Sequence, residues 1–377
     1  MTGGDHRGEA VCLLFATSGH SGVDRVVGNL LPEFGRTGER FDLLTIRGHG
    51  PHPDELPPNV RHIQLPVAHR NLILPFLVRY LRAERPRALL TANHPLNRAA
   101  LLARLVSRVP VRVTIRMGMS LSARAQAMKP AAARRMFRSM RRWYPRADAA
   151  VAPSPGVAAD LERLAGVAPG RLHVIPNPIV NAALDRAAAE PLDHPWFAPG
   201  EPPVILGAGS LEPRKDFPTL LRAFARLREG RAARLVILGE GRERDALQRL
   251  AGELGIASDV DLPGYADNPY RWMSRAAVFV LCSRREGSGA VLVEALACRT
   301  PVVATDCPTG PAEILAHGRL GPLVEVGDDA GLAEALARVL ERPLDGAALR
   351  GGVESFRADT AARQYLCAMG ADAGAAA

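Results

Sequence analysis

The chain has 377 residues, 47% of them apolar, and a formal net charge of +9; its length predicts two domains on a prior of about 150 residues each, and its apolar share excludes a disordered chain. Five scattered cysteines (Cys12, Cys282, Cys298, Cys307, Cys367) without CxxC spacing argue against a disulfide framework or zinc site and for a reducing compartment. No run reaches the roughly 18 apolar residues of a membrane span, and 11–16 is too short for a signal core, so a cytoplasmic location is expected.

From the N-terminus, apolar runs alternate with helical periodicity, the pattern of a parallel α/β architecture. Strands are predicted over 11–16, 41–46, 60–65, 88–91, 111–115, 149–152 and 172–175, with helices over 23–34, 74–84, 95–107 and 131–144. Between Glu84 and Asp148 there is no acidic residue, against fourteen arginines and one lysine. Such a one-sided field implies an acidic partner surface. In the helix over 131–144, Arg134, Arg135, Arg138, Arg141 and Arg142 accompany an apolar stripe of Met136, Phe137, Met140, Trp143 and Tyr144. The stripe alone suits a core-facing helix with solvated arginines. The missing acids add a second reading, a face for an anionic membrane and a peripheral place on its inner side. Nucleic acid is not the expected partner, because no stacking platform or DNA-reading motif accompanies the arginines.

Residues 181–203, rich in Ala, Pro and Asp, read as a linker between a first domain over 1–180 and a second over 204–352. A C-terminal helix and frayed tail are expected over 353–377. The second domain repeats the alternation, with strands over 204–208, 234–238, 278–282, 302–305 and 323–324. Its helices are predicted over 217–228, 243–254, 291–297, 311–316 and 331–340. Two doubly wound sheets would gather ligands at the carboxyl ends of their strands, lining one cleft between the domains.

The densest chemistry runs from Cys282 to Leu296. Glu286 follows an apolar strand, a small-residue turn comes next, and Glu294 lies eight residues on, inside a helix that begins near Ala290. Free N–H groups at that helix start suit a diphosphate, and small residues let the backbone approach a ligand. Lys215 and Arg214 sit in the loop after strand 204–208, where a cation can meet phosphate charge. Asp259-Val260-Asp261 has the DxD form of a metal–nucleotide site, but it lies in a short strand beside a turn without a third ligand, so no metal is expected there. The first strand–helix loop, Ser18-Gly19-His20-Ser21-Gly22, is not GxGxxG and gives no dinucleotide fingerprint. His94, at the end of a strand, is a cap, a surface residue or a group that reaches a ligand.

With these stretches in view, the chain resembles the retaining glycosyltransferases of family 4, the glycosyl transferases group 1. The resemblance rests on Ser21-Gly22-Val23-Asp24-Arg25, Ile175-Pro176-Asn177-Pro178, Gly209-Ser210-Leu211-Glu212-Pro213-Arg214-Lys215-Asp216-Phe217, Leu238-Gly239-Glu240-Gly241, the glutamate pair, and Asp306-Cys307-Pro308-Thr309-Gly310-Pro311-Ala312-Glu313-Ile314, in that order. It implies the GT-B fold, two Rossmann-like doubly wound domains facing a cleft. It also implies a nucleotide-diphosphate sugar donor, UDP-linked, a lipid-linked or polysaccharide acceptor on the basic first domain, and no other cofactor. By resemblance, Glu286 contacts the donor hexose and Glu294 the ribose hydroxyls. The backbone of Gly287, Ser288, Gly289, Ala290, Val291 and Leu292 wraps the sugar diphosphate, Gly22 approaches the donor from the first domain, and Lys215 stabilises the leaving group. Two positions depart from the pattern. Ser210 stands where the family has an arginine, with Arg214 as the candidate replacement, and Arg116 follows a strand where many relatives have a histidine. Two other readings are a nucleotide-sugar epimerase of the same architecture, which needs an acid/base cluster in the first domain that the sequence does not offer beyond His20 and His94, and a membrane-binding scaffold without chemistry, against which the joint presence of Glu286, Glu294 and Lys215 argues.

Overall fold

The structure, a computed structural model, describes residues 10–17, 22–50, 55–126, 128–286, 288–308 and 310–371. Of the residues singled out above, Gly287, the loop Ser18 to Ser21 with His20, Thr309 and the tail from Asp372 lie outside the described residues. The chain forms two compact units. One contains the residues up to Pro178 together with those from Phe356 onward, and the other runs from Ile179 to Ser355.

In the first unit, the described residues build a parallel sheet from β1 (Val11–Leu14), β2 (Phe41–Ile46), β3 (Val60–Leu65), β4 (Ala88–Ala92), β5 (Arg112–Arg116), β6 (Ala149–Ala152) and β7 (Leu172–Val174). Their order is β3-β2-β1-β4-β5-β6-β7, so the winding reverses between β1 and β4. Both faces are covered, as a parallel sheet requires. In β1, Cys12 and Leu14 join one core while Val11 and Leu13 join the other, the alternation that a pleated strand imposes. Around the sheet lie α1 (Gly22–Gly35), α2 (Leu74–Glu84), α3 (His94–Ser107), α4 (Leu121–Gln126), α5 (Pro130–Trp143) and α6 (Pro155–Ala165). Ser154 caps α6 by accepting from the Val157 N–H, and Gly166 ends it in the left-handed conformation; this is the Ser-Pro start and glycine stop of a standard helix. Helix α6 was not predicted, although these signals were visible.

The second unit contains α7 (Ala182–Ala189), β8 (Val204–Ala208), α8 (Phe217–Arg228), β9 (Arg234–Leu238), α9 (Arg244–Glu253), β10 (Val260–Gly264), α10 (Tyr270–Met273), β11 (Val278–Leu281), α11 (Ala290–Ala297), β12 (Val302–Thr305), α12 (Pro311–Ile314), β13 (Leu323–Val324), α13 (Asp329–Glu341) and α14 (Gly346–Gly351). Its parallel sheet has the order β10-β9-β8-β11-β12-β13. The winding reverses between β8 and β11.

The expected linker over 181–203 is ordered structure of this second unit. Asn181 caps α7 by accepting from the Leu184 N–H, Leu184 is buried, and the Asn268 side-chain amide donates to the Ala187 carbonyl. Farther on, the His194 ring meets Trp196, Phe197 and Trp272 edge-on. An eight-residue helix and one aromatic cluster are too short to leave a periodic signal. The last helix, α15 (Ala358–Met369), belongs to the first unit, where Ala361, Ala362, Tyr365 and Leu366 complete its second core.

Candidate functional site

The residues of greatest chemical interest meet at the switch point of the second sheet. The loop after β8 carries Lys215 and the loop after β11 carries Glu286, and these strands are neighbours. The Lys215 ammonium lies 2.6 Å from Glu286 Oε1, with side-chain exposures of 9% and 10%. Lys215 is therefore not an ordinary solvated lysine. Ser283 donates its hydroxyl to the same oxygen at 2.6 Å.

Main-chain and side-chain hydrogen bonds lock the two loops together. Arg284 N donates to Arg214 O at 2.8 Å, Cys282 Sγ to Lys215 O at 3.1 Å, and Arg284 Nη2 to Asp216 Oδ1 at 3.1 Å. Asp216 is buried in the left-handed conformation (φ 52°) between Lys215 and the start of α8. Two glycines make room. A Cβ at Gly209 would stand 2.9 Å from Lys215 Cε, and one at Gly239 would stand 1.9 Å from the Gly209 carbonyl oxygen. Gly239-Glu240-Gly241 is thus a close-packing element beneath the Lys215 loop.

Arg214 is exposed. Its guanidinium donates to Ser210 Oγ at 3.0 Å and pairs with Glu212 at 3.2 Å, so it stands over the serine that departs from the family pattern. Helix α11 opens at Gly289 (φ 62°) without a side-chain cap, which leaves its first N–H groups for a ligand or water. Ser288 is exposed, Gly289 buried, Ala290 and Val291 half-buried, and Leu292 fully buried. Glu294 is only 6% exposed on the same helix. Gly310 packs its Cα side against the Ser288 carbonyl, where a Cβ would sit at 3.0 Å. The structure therefore brings together Lys215, Arg214 and the Glu286 loop, whereas the turn up to Leu292 and Glu294 simply follow Glu286 along the chain into α11. Sequence reasoning missed Ser283, Arg284 and Asp216, polar residues that hold this arrangement; the only signal was their place beside the motifs.

In the first unit, Gly22 opens α1 and is exposed. His94 is neither a cap nor free to face solvent. Its Nδ1 lies 3.1 Å from the buried Tyr144 hydroxyl, and burial followed by the nearby Arg98 and Arg124 charges pushes its pKa down to about 4. Asp259 pairs with Arg228 and Arg234, while Asp261 lies 3.1 Å from His194 Nε2; neither aspartate is set up as one half of a DxD clamp. On α5, Ala133, Met136 and Met140 are buried and Arg134, Arg135, Arg138, Arg141 and Arg142 are exposed. Among the described residues, no helix is long and apolar enough to cross a membrane.

Residues 190–350 match the family described as Glycosyl transferases group 1, and residues 21–178 match the Glycosyl transferase 4-like domain. Over 198 residues the chain is 34% identical to the N-acetylgalactosamine-N,N'-diacetylbacillosaminyl-diphospho-undecaprenol 4-alpha-N-acetylgalactosaminyltransferase of Campylobacter jejuni, covering 52% of each protein. Over 202 residues it is 33% identical to the lipopolysaccharide core biosynthesis glycosyltransferase LpsE of Rhizobium meliloti, covering 52% of this chain and 55% of the relative. The chain thus spans about half the length of these curated relatives. Among solved structures, the apo form of the lipopolysaccharide outer core galactosyltransferase WaaB superposes with a TM-score of 0.74 at 20% identity, over 96% of this chain and 98% of that one. Anabaena Alr3699/HepE in complex with UDP superposes with a TM-score of 0.72 at 16% identity, over 96% and 99%; these two likenesses speak to the fold. With both parts matched in order on two parallel-sheet Rossmann-like units, the chain belongs to the family 4 type of GT-B glycosyltransferases.

Proposed function

We propose that the protein is a retaining glycosyltransferase that moves a hexose or N-acetylhexosamine from a UDP-linked donor to a hydroxyl of a lipid-linked or polysaccharide acceptor. The observation that carries this reading is the buried Lys215–Glu286 pair at the switch point of the second sheet, in the crevice where open α/β sheets bind ligands. Two relatives support the acceptor class, one named for a diphospho-undecaprenol substrate and one for lipopolysaccharide core, and a fold neighbour bound to UDP supports the nucleotide.

In this reading the diphosphate lies on the N–H groups that open α11 and along the backbone from Ser288 to Leu292, with Gly287 between Glu286 and Ser288. Lys215 has three N–H donors and gives one to Glu286, so the others can meet phosphate oxygens. Arg214 supplies the second cation over Ser210. Both stabilise the charge that grows on the leaving phosphate. Glu286 orients the hexose and Glu294 the ribose hydroxyls. The sugar C1–O(phosphate) bond breaks as the acceptor oxygen bonds to C1 from the same face, and the acceptor proton passes to a phosphate oxygen. The products are UDP and the retained glycoside. The cationic roles fall to Lys215, Arg214 and α11, and the reading needs no metal. The exposed arginines of α5 then serve as a peripheral contact with an anionic membrane carrying the acceptor.

A panel of nucleotide sugars tested for thermal stabilisation checks the donor assignment. A ligand at 100 times its dissociation constant adds about 2.7 kcal/mol, so the true donor should raise the melting temperature well above the others. Failure of every nucleoside diphosphate sugar to stabilise the chain would overturn the reading.

A further inference from the structure

Arg116 ends β5 with only 3% of its surface exposed. Its Nε donates to the Tyr365 hydroxyl on α15 at 2.9 Å, and its Nη2 donates to Asn177 Oδ1 at 2.6 Å. Both partners are neutral. Its Nη1 is buried with no hydrogen-bond partner among the described residues. A guanidinium has five N–H donors and stays charged in a protein, so β5 ends in a buried positive charge that no carboxylate among the described residues bonds. Burying such a charge is costly unless an opposite charge meets it.

The position points to a ligand rather than to packing. Strand β5 adjoins β4, one of the two strands at the switch point of the first sheet, and Arg116 stands at the carboxyl end, where such sheets bind ligands. Its carbonyl receives the Asn93 N–H and the Asn97 side-chain amide, which anchors the start of α3 beside it. Nη1 lies against Gly118, and only a glycine fits there, since a Cβ on residue 118 would stand 2.8 Å from that nitrogen. Tethering α15 and Asn177 explains Nε and Nη2 but leaves Nη1 unexplained.

We propose that Arg116 anchors an oxyanion subsite in the first unit, which takes a phosphate or carboxylate oxygen of the acceptor on Nη1. This rests on the glycosyltransferase reading above, with the acceptor on the first unit as the family resemblance implies. The acceptor is then an anionic molecule, and Arg116 acts through binding and orientation with no bond made or broken.

The test uses the full chain with [15N]arginine and follows the Arg116 Nε–H resonance, assigned by its loss in Arg116→Lys. Methyl phosphate, inorganic pyrophosphate and acetate are titrated separately, with chloride as control; the first two against the third separate a phosphate from a carboxylate source. The expected result is a saturable shift with one class of oxyanion. Gly118→Ala, which keeps Arg116 and its two bonds but sets a Cβ against Nη1, should weaken that binding about tenfold or more, as loss of a hydrogen bond to a charged group does. An unmoved resonance, an equal response to chloride, or wild-type titration by Gly118→Ala would overturn the proposal. UDP affinity is measured on the same samples. A wild-type chain that shifts with oxyanion but does not bind UDP would retain the subsite and reject the UDP-linked donor instead.

Discussion

Removing the Lys215 charge leaves the Glu286 carboxylate 10% exposed with its cation gone. Breaking a buried pair in this way costs about 3–5 kcal/mol. Ser283 still donates to Glu286, so about 3 kcal/mol, the lower end, is expected for Lys215→Met, which preserves the apolar stem. Glu286→Gln leaves the ammonium buried and should cost a similar amount. In Lys215→Met/Glu286→Gln neither charge remains, so the double variant should lie well above the sum of the singles, with a coupling energy of about 2–3 kcal/mol. Urea unfolding followed by tryptophan fluorescence reads this, because Trp196 and Trp272 both lie in the second unit. The same proteins separate the functional roles. Lys215→Met should weaken UDP binding, whereas Glu286→Gln should leave it nearly intact and lower turnover, as expected of a contact strengthened in the transition state. Single variants within about 0.5 kcal/mol of wild type, or losses that simply add in the double variant, would refute the pairing.

Glu294→Ala should weaken UDP binding while the chain stays folded; calorimetry on the folded variant decides, and unchanged affinity removes Glu294 from the donor site. Gly239→Ala forces a Cβ to 1.9 Å from the Gly209 carbonyl at a φ of 138°, so it should destabilise the second unit by more than about 3 kcal/mol and weaken UDP binding with it; a wild-type urea midpoint would contradict this. His94 stays neutral in the fold with its pKa lowered to about 4, against about 6.5 unfolded. The unfolded chain therefore binds the extra proton first, and the His94 contribution is full above pH about 6.5 and is lost as pH falls toward about 4. His94→Gln should flatten the stability profile in that window, and an unchanged profile would count against the burial. Replacing Arg134, Arg138 and Arg142 by glutamine should weaken anionic-vesicle binding by about two orders of magnitude, at about 1 kcal/mol per basic residue; equal sedimentation with neutral and anionic vesicles would leave α5 a solvated face.

Much of the architecture was legible in the sequence. A strand buried on both faces is a largely apolar run, and Ala149–Ala152, Val204–Ala208 and Val302–Thr305 fall where the runs predict them. The Glu286 turn and the start of α11 were equally visible, because strand, small residues and helix succeed one another within a few positions. Tertiary structure alone decided the rest. Lys215 and Glu286 are 71 residues apart, and their pairing follows from the sheet order that sets β8 beside β11. A lysine looks solvated in sequence until a fold buries it. Helix α15 joins the first unit after the chain has built the second, a placement driven by the apolar face of Tyr365 and its neighbours rather than by local signals. The 181–203 stretch shows the same limit, since α7, although rich in alanine, is too short to stand alone and is held by packing and by Asn268. Local pattern specifies which segments become strands or helices, whereas desolvation and long-range contact decide which charges meet, because those energies exist only once distant segments are brought together.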